Sequence, residues 1–195
     1  MLLLRSVAFA RLHHGVRPPS TYDYARYRRY LSGRLKKLRS VTKHTQWLLF
    51  AAERAWAYFM DLKQGITPKS AHPTRILRHA KMRLRRATQL AEAALLSLND
   101  SGSCTMPLVH KTSVEHQSSC LKKKQQQKEE LQLYCGWIKA LYFTENQEFT
   151  EAKATITAAL ALPIAVASPI VPAEPLHTLH TGLLEQLRNL LRLCP

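Results

Sequence analysis

Carboxylates are scarce where this chain is most basic. Through residue 90 there are 3 Asp and Glu against 20 Lys and Arg, and from residue 91 onward 10 against 9, so the net charge of +16 belongs to the first half. Cations left without acidic neighbours make an electrostatic footprint on one face or end, and their natural partner is an external anion. Cysteine is sparse too. Cys104, Cys120, Cys135 and Cys194 form no C-x-x-C pair, and with no secretory signal read at the start the expectation is free thiols in a reducing compartment. The longest apolar run, ALALPIAVASPIVPA, is cut by Pro163, Pro169 and Pro172, which excludes a membrane-spanning helix there. G-x-S-x-G, P-loop and H-E-x-x-H motifs are all missing, acids are few, and no catalytic arrangement emerges, so the chain does not read as an enzyme. His177 and His180 share a helical face, but no third ligand stands at a recognisable spacing, and His13 and His14 fare no better. Neither a metal nor a cofactor is expected.

What is present is helical periodicity. At 195 residues and 46% hydrophobic content the chain can build a real core. The first residues, MLLLRSVAFARLHHGVR, have arginines and no acids, a composition shared with mitochondrial transit peptides. The preferred reading is a first helix whose apolar face is Leu4, Val7, Ala8 and Leu12. Residues 20 to 40 predict a helix capped by Ser20 or Thr21, with Asp23 in its first turn. Tyr24, Tyr27, Leu31, Leu35 and Leu38 form its buried stripe, while Arg26, Arg29, Lys36 and Lys37 lie opposite and Arg28, Arg34 and Arg39 flank them. Seven basic residues and no acid share positions 24 to 39. An ordinary solvated helix would intersperse carboxylates at i, i+4. Gly33 keeps the middle of this helix slim enough for close approach by a bulky partner.

A second helix, 44 to about 64, ends at Gly65. Leu48, Ala51, Ala55, Tyr58 and Leu62 make one face, and Trp47, Ala52, Trp56 and Phe59 widen it so far that the helix is expected between others, with both tryptophans as core rather than base-stacking platforms. A third helix starts near Pro73 and runs to about Asn99 with the seam Leu77, Ala80, Leu84, Ala87, Ala91, Ala94 and Leu98. Arg75, Arg78, Lys81, Arg83, Arg85 and Arg86 crowd its first half, which is therefore the half exposed to the anion. Residues 99 to about 124 read as a flexible loop. A helix pair follows, with Tyr134, Gly136, Ile138 and Leu141, a turn at TENQ, then Phe149, Ala152, Ile156 and Ala159, and it resembles one tetratricopeptide unit. The fold class is all-α, a tetratricopeptide-like stack of antiparallel helix pairs. Residues 1–162 make the domain, and 163–195 a Pro-rich linker with a short C-terminal helix of undefined role.

Arginine suits phosphate because its planar fork donates bidentate hydrogen bonds and keeps its charge at any working pH. The apolar stripes are used by core packing, which leaves no wedge for a membrane surface, so nucleic acid is the better partner. Composition alone does not choose between DNA and RNA.

Four blocks in order, HHGVR with YARYRRYLSGRLKKLR, then LLFAAERAWAYFMDLKQ, then RILRHAKMRLRRATQLAEAA, then LYCGWIKALYFTENQEFTEAKATI, resemble the N-terminal RNA-binding domain of the signal recognition particle 68-kDa subunit family, over about residues 13 to 160. The resemblance implies a tetratricopeptide-like domain that binds the particle's RNA near the junction of its larger domain, with an arginine-rich helix in a locally widened groove. Regular A-form RNA has a major groove too narrow for a helix. On that resemblance Arg26, Arg28, Arg29, Arg34, Lys36, Lys37 and Arg39 are RNA contacts. Arg75, Arg78, Arg85 and Arg86 extend the basic surface by their own pattern. The resemblance further implies particle assembly, cotranslational targeting to the endoplasmic reticulum, contact with the ribosome through the particle, and a cytoplasmic protein without membrane insertion, and it leaves open a nucleolar stage during assembly.

The chain departs from the family pattern in three places. The basic segment between LRS and WLLF is shortened to VTKHTQ, the stretch 99 to 120 looks inserted, and the C-terminal region that pairs with the 72-kDa subunit is not found before Pro195. The expectation is a fragment or a divergent form, with the 72-kDa subunit a partner only of a longer chain. Two other readings stay open: a helical-repeat adaptor for proteins, and a basic mitochondrial RNA-binding protein.

Overall fold

A computed structural model describes residues 3–14, 16–17, 21–39, 44–67, 71–100, 114–162 and 175–195. Within them run seven helices: α1 (Leu3–His14), α2 (Tyr24–Arg39), α3 (His44–Gln64), α4 (Pro73–Asp100), α5 (Val114–Asn146), α6 (Phe149–Leu160) and α7 (Pro175–Leu193). A two-residue antiparallel ladder between β1 (Val16–Arg17) and β2 (Thr21–Tyr22) pairs Val16 with Tyr22 on the way from α1 to α2. The architecture is all-α, as the steps of 3 and 4 predict. Successive helices are packed neighbours from α2 through α6, while α7 lies against α1, α5 and α6. None of the described helices is long and apolar enough to cross a membrane.

Local chemistry explains most boundaries. Asp23, rather than Ser20 or Thr21, caps α2: its Oδ1 accepts the Arg26 N–H at 2.8 Å and its carbonyl accepts the Tyr27 N–H at 3.0 Å. Thr21 belongs to β2, and Ser20 lies outside the described residues. Tyr27, Leu31, Leu35 and Leu38 are buried, and half-buried Tyr24 meets Trp56 edge-on at 5.7 Å. Helix α3 buries residues around most of its girth, from Leu48 to Phe59, and so sits between α2 and α4. The α4 seam is buried at Ala80, Leu84, Ala87, Ala91 and Ala94, with Leu77 and Leu98 half-buried at its ends.

Two expectations change. Helix α5 begins at Val114, so residues 114 to 124 are helix rather than loop. That stretch has no glycine or proline, and it leads into the run KKKQQQKEE at 122–130, whose Lys, Gln and Glu lose little side-chain freedom in a helix. The rest of the expected loop, 101 to 113, lies outside the described residues, as does the proline-rich stretch 163 to 174. In α1, Leu4, Val7 and Ala8 are buried as expected, but Leu12 is 48% exposed. Its neighbour Arg11 turns inward instead.

Between α5 and α6 the chain reverses through Gln147, whose φ of 66° is rare for a residue with a β-carbon. The pair then crosses so closely that a β-carbon at Gly136 would stand 2.9 Å from the Ala159 Cβ. Only glycine fits this crossing.

The helices converge on one carboxylate. Glu53, fully buried on α3, accepts Arg11 Nε at 2.5 Å and Nη2 at 2.9 Å from α1, the Tyr27 hydroxyl at 3.0 Å from α2, and the Tyr134 hydroxyl at 2.6 Å from α5. The Arg11 guanidinium lies 4.3 Å from the Trp56 ring centroid and 4.9 Å from that of Trp137. Burial opposes the charge on Arg11, yet the Glu53 carboxylate outweighs it and raises the pKa. Burial first, and then the same negative charge, push the Tyr134 hydroxyl well above its ordinary value.

Removing the carboxylate strands a buried guanidinium. Glu53→Ala is expected to cost about 3–5 kcal/mol in urea unfolding, whereas Lys63→Ala, which breaks the exposed pair with Glu145, costs under about 1 kcal/mol. Equal losses would contradict the central role of Glu53. Gly136→Ala is expected to lose about 1–3 kcal/mol by overpacking the α5–α6 crossing.

Candidate nucleic-acid interface

The basic residues of three helices meet in one groove of about 710 Å³. Helix α2 lines it with Arg28, Arg29, Ser32, Gly33 and Lys36, α3 with Trp47, Ala51, Arg54, Ala55 and Tyr58, and α4 with Arg83, Arg86 and Leu90. Among the described residues six cations line it and no carboxylate does. The helical period produces this arrangement. Core positions take α2 and α4 against α3, so the adjoining basic positions of the outer helices face one another across the small residues of α3.

Aromatic rings hold several of these cations in place. The Arg28 and Arg83 guanidiniums lie 4.1 and 4.8 Å from the centroid of Tyr58, which links α2 to α4 through α3. Arg28 also pairs with Asp61 at 3.3 Å, and Arg83 Nε donates to His79 Nε2 at 3.1 Å. Arg54 has its pKa lowered, first by partial burial and then by the charges of Arg39, Arg83 and Arg28. A guanidinium set among three others gains from any anion that enters.

The sequence-predicted residues divide over this surface. Arg28, Arg29, Lys36 and Arg86 line the groove. Arg26, Arg34, Lys37 and Arg39 are exposed elsewhere on α2, and Arg78 and Arg85 are exposed on α4. Arg75 lines a separate, smaller hollow with His72 and His79. Sequence reasoning missed Arg54 because it lies on a helix read as core, where a single arginine between apolar residues carries no pattern. Trp47 is also corrected. Trp56 is core at 5% exposure, but Trp47 is half-buried and lines the groove, with the Arg39 guanidinium 5.9 Å from its centroid.

Other parts of the molecule offer less. A largely apolar cavity of about 370 Å³ between α1, α3, α5 and α7 includes Arg11, whose charge is already committed to Glu53. His180 is buried on α7, and no cluster of metal-binding type occurs among the described residues. Cys135 is a free buried thiol pushed up to about 11, chiefly by burial.

A stack of helices with a groove lined by cations defines a class, the helical modules that hold polyanions on a preformed surface. The comparisons with known proteins are more particular. The sequence profile of the family described as "RNA-binding signal recognition particle 68" matches residues 40–194. The chain belongs to this RNA-binding family of the signal recognition particle. Its fold is similar to that in the "Structure of the SRP68-RBD from Chaetomium thermophilum", with a TM-score of 0.66 and 20% identity over 99% of this chain and 98% of that one. At that identity the likeness shows the fold. A sequence comparison with curated proteins finds no match.

Gly33 lines the groove, and a β-carbon added there would meet no heavy atom within 4 Å. Gly33→Ala is therefore expected to stabilise the fold by about 0.5–1 kcal/mol through helix propensity alone. A lower melting temperature would show that the glycine is needed for packing.

Proposed function

We propose that the chain binds signal recognition particle RNA near the junction of the larger domain, with α2 entering a locally widened groove. The observation that carries this reading is the set of six cations, without a carboxylate, that α2, α3 and α4 bring together beside the exposed basic face of α2. In this reading Arg26, Arg28, Arg29, Arg34, Lys36, Lys37 and Arg39 of α2 meet phosphates on the groove walls, while Arg86, with Arg75, Arg78 and Arg85 beyond it, extends the contact along α4. Membership of the RNA-binding family supports RNA as the polyanion.

Binding of this kind needs no bond-making chemistry, so the chain acts as a non-enzymatic assembly factor. It supports formation of the particle and hence cotranslational targeting to the endoplasmic reticulum. It works in the cytoplasm and meets the ribosome through the particle. Residues 1–162 would carry the RNA-binding surface.

Charge alone would act generically, and geometry would not. Arg29→Lys and Arg34→Lys are expected to weaken binding to a junction RNA despite conserving charge, because lysine lacks the planar fork. The same changes leave weak binding to an unstructured RNA of equal length nearly unaltered. Filter-binding titrations of both variants on both RNAs decide the matter. Equal losses on the two, or none on the junction, would reduce α2 to a nonspecific basic patch and favour a protein adaptor.

A further inference from the structure

The groove between α2, α3 and α4 has more depth than passing phosphates require. We propose that an unpaired nucleotide of the bound RNA turns out of its stack into this groove, its phosphate on Arg54, Arg83 and Arg86 and its base on the half-buried Trp47 ring that lines it. This rests on the RNA-binding reading and adds to it a site separate from the outer face of α2.

Three observations support the insertion. The first is space: about 710 Å³, bounded at the α2 wall by Gly33, opposite the small residues Ala51 and Ala55. A β-carbon at residue 33 would meet no heavy atom within 4 Å, so a side chain there starts out into that space. The second is the mixture of lining groups. A phosphodiester alone needs only cations, whereas a nucleotide needs cations beside a flat apolar surface, and Trp47 supplies that surface next to Arg54. Tyr58 competes less well for the base, because its ring holds two guanidiniums at 4.1 and 4.8 Å, whereas the one cation near the Trp47 ring, Arg39, stands farther off at 5.9 Å. The role of Tyr58 is positioning, fixing two guanidiniums on the groove wall before the ligand arrives.

The third observation is an unmet hydrogen bond. The Trp47 indole N–H is shielded from solvent and has no acceptor among the described residues, an arrangement that costs about 1–3 kcal/mol. A rotation of the ring that brings this edge to the entering nucleotide would let a base carbonyl or phosphate oxygen supply one. Arg54 points the same way, since the charged groups that share the groove with it are all cations.

The test uses the full chain and signal recognition particle RNA carrying the larger-domain junction. Gly33→Leu fills the groove from an open position, so it is expected to keep or raise the melting temperature while weakening RNA binding at least tenfold. Trp47→Leu removes the stacking surface and is expected to weaken binding by about five- to one-hundredfold. Photocrosslinking with 5-bromouridine placed at unpaired positions is expected to mark the α3 peptide containing Trp47, and Gly33→Leu is expected to abolish that product. If Gly33→Leu binds as the parent does while Arg34→Lys, outside the groove, weakens binding, nucleotide insertion is wrong and RNA binding by α2 stands. Loss of all specific binding by the parent chain would overturn both.

Discussion

A single buried carboxylate organises this molecule. Glu53 takes two hydrogen bonds from Arg11 and one each from Tyr27 and Tyr134, so α1, α2 and α5 are all tied to α3 through its two oxygens. A buried charge carries a large desolvation cost, and it is tolerable only when its lone pairs are filled and its counter-ion is close. Those conditions are met together or not at all. The network therefore specifies one arrangement of four helices rather than merely adding stability, because a slipped helix would leave a charge or hydroxyl stranded. Trp56 and Trp137 extend the constraint by seating the Arg11 guanidinium between α3 and α5.

The same helix that is neutralised at Glu53 is left electropositive at Arg54. These neighbours are about 100° apart around α3, so one faces the tyrosines of α2 and α5 while the other opens into the groove. Core and site are thus coupled by construction. Setting α2 on α3 with Tyr27 at Glu53 also sets Arg28 against Tyr58, and the position of α4 brings Arg83 to the same ring. The guanidiniums are held before any anion arrives, which reduces the ordering entropy lost on binding. Repulsion among them is the accompanying cost, and Asp61 relieves it only at the edge.

Periodic features were legible in the chain and singular ones were not. The stripes of α2 and α4, the ends of α3 and the turn before α6 follow from apolar spacing and end signals, and family resemblance pointed to RNA before any contact was known. Arg11 and Glu53 escaped because a lone acid in an apolar helix and a lone base beside Leu12 have no local pattern, and their partnership spans 42 positions. Trp47 was read as core because its helix is apolar around most of its girth, and only the placement of α2 and α4 reveals which part of that girth stays open. The start of α5 is hidden by turn-forming residues just before it and by the weak helix formers of its first two turns, onto which the helix nucleated in the strong formers from Leu121 to Glu130 extends. Which of the many basic residues share one groove depends on helix packing, so sequence spacing could nominate Arg28, Arg29, Lys36 and Arg86 but could not separate them from Arg78 or Arg85.

The central claim is that a preformed cluster of cations holds structured RNA by several phosphates at once. The salt dependence of affinity for signal recognition particle RNA tests it most directly. Six lining cations acting together predict a slope of log affinity against log salt of about −4 to −5, with Arg54→Ala flattening it by somewhat under one unit. A slope near zero or about −1, unchanged in Arg54→Ala, would mean that the groove does not hold the RNA.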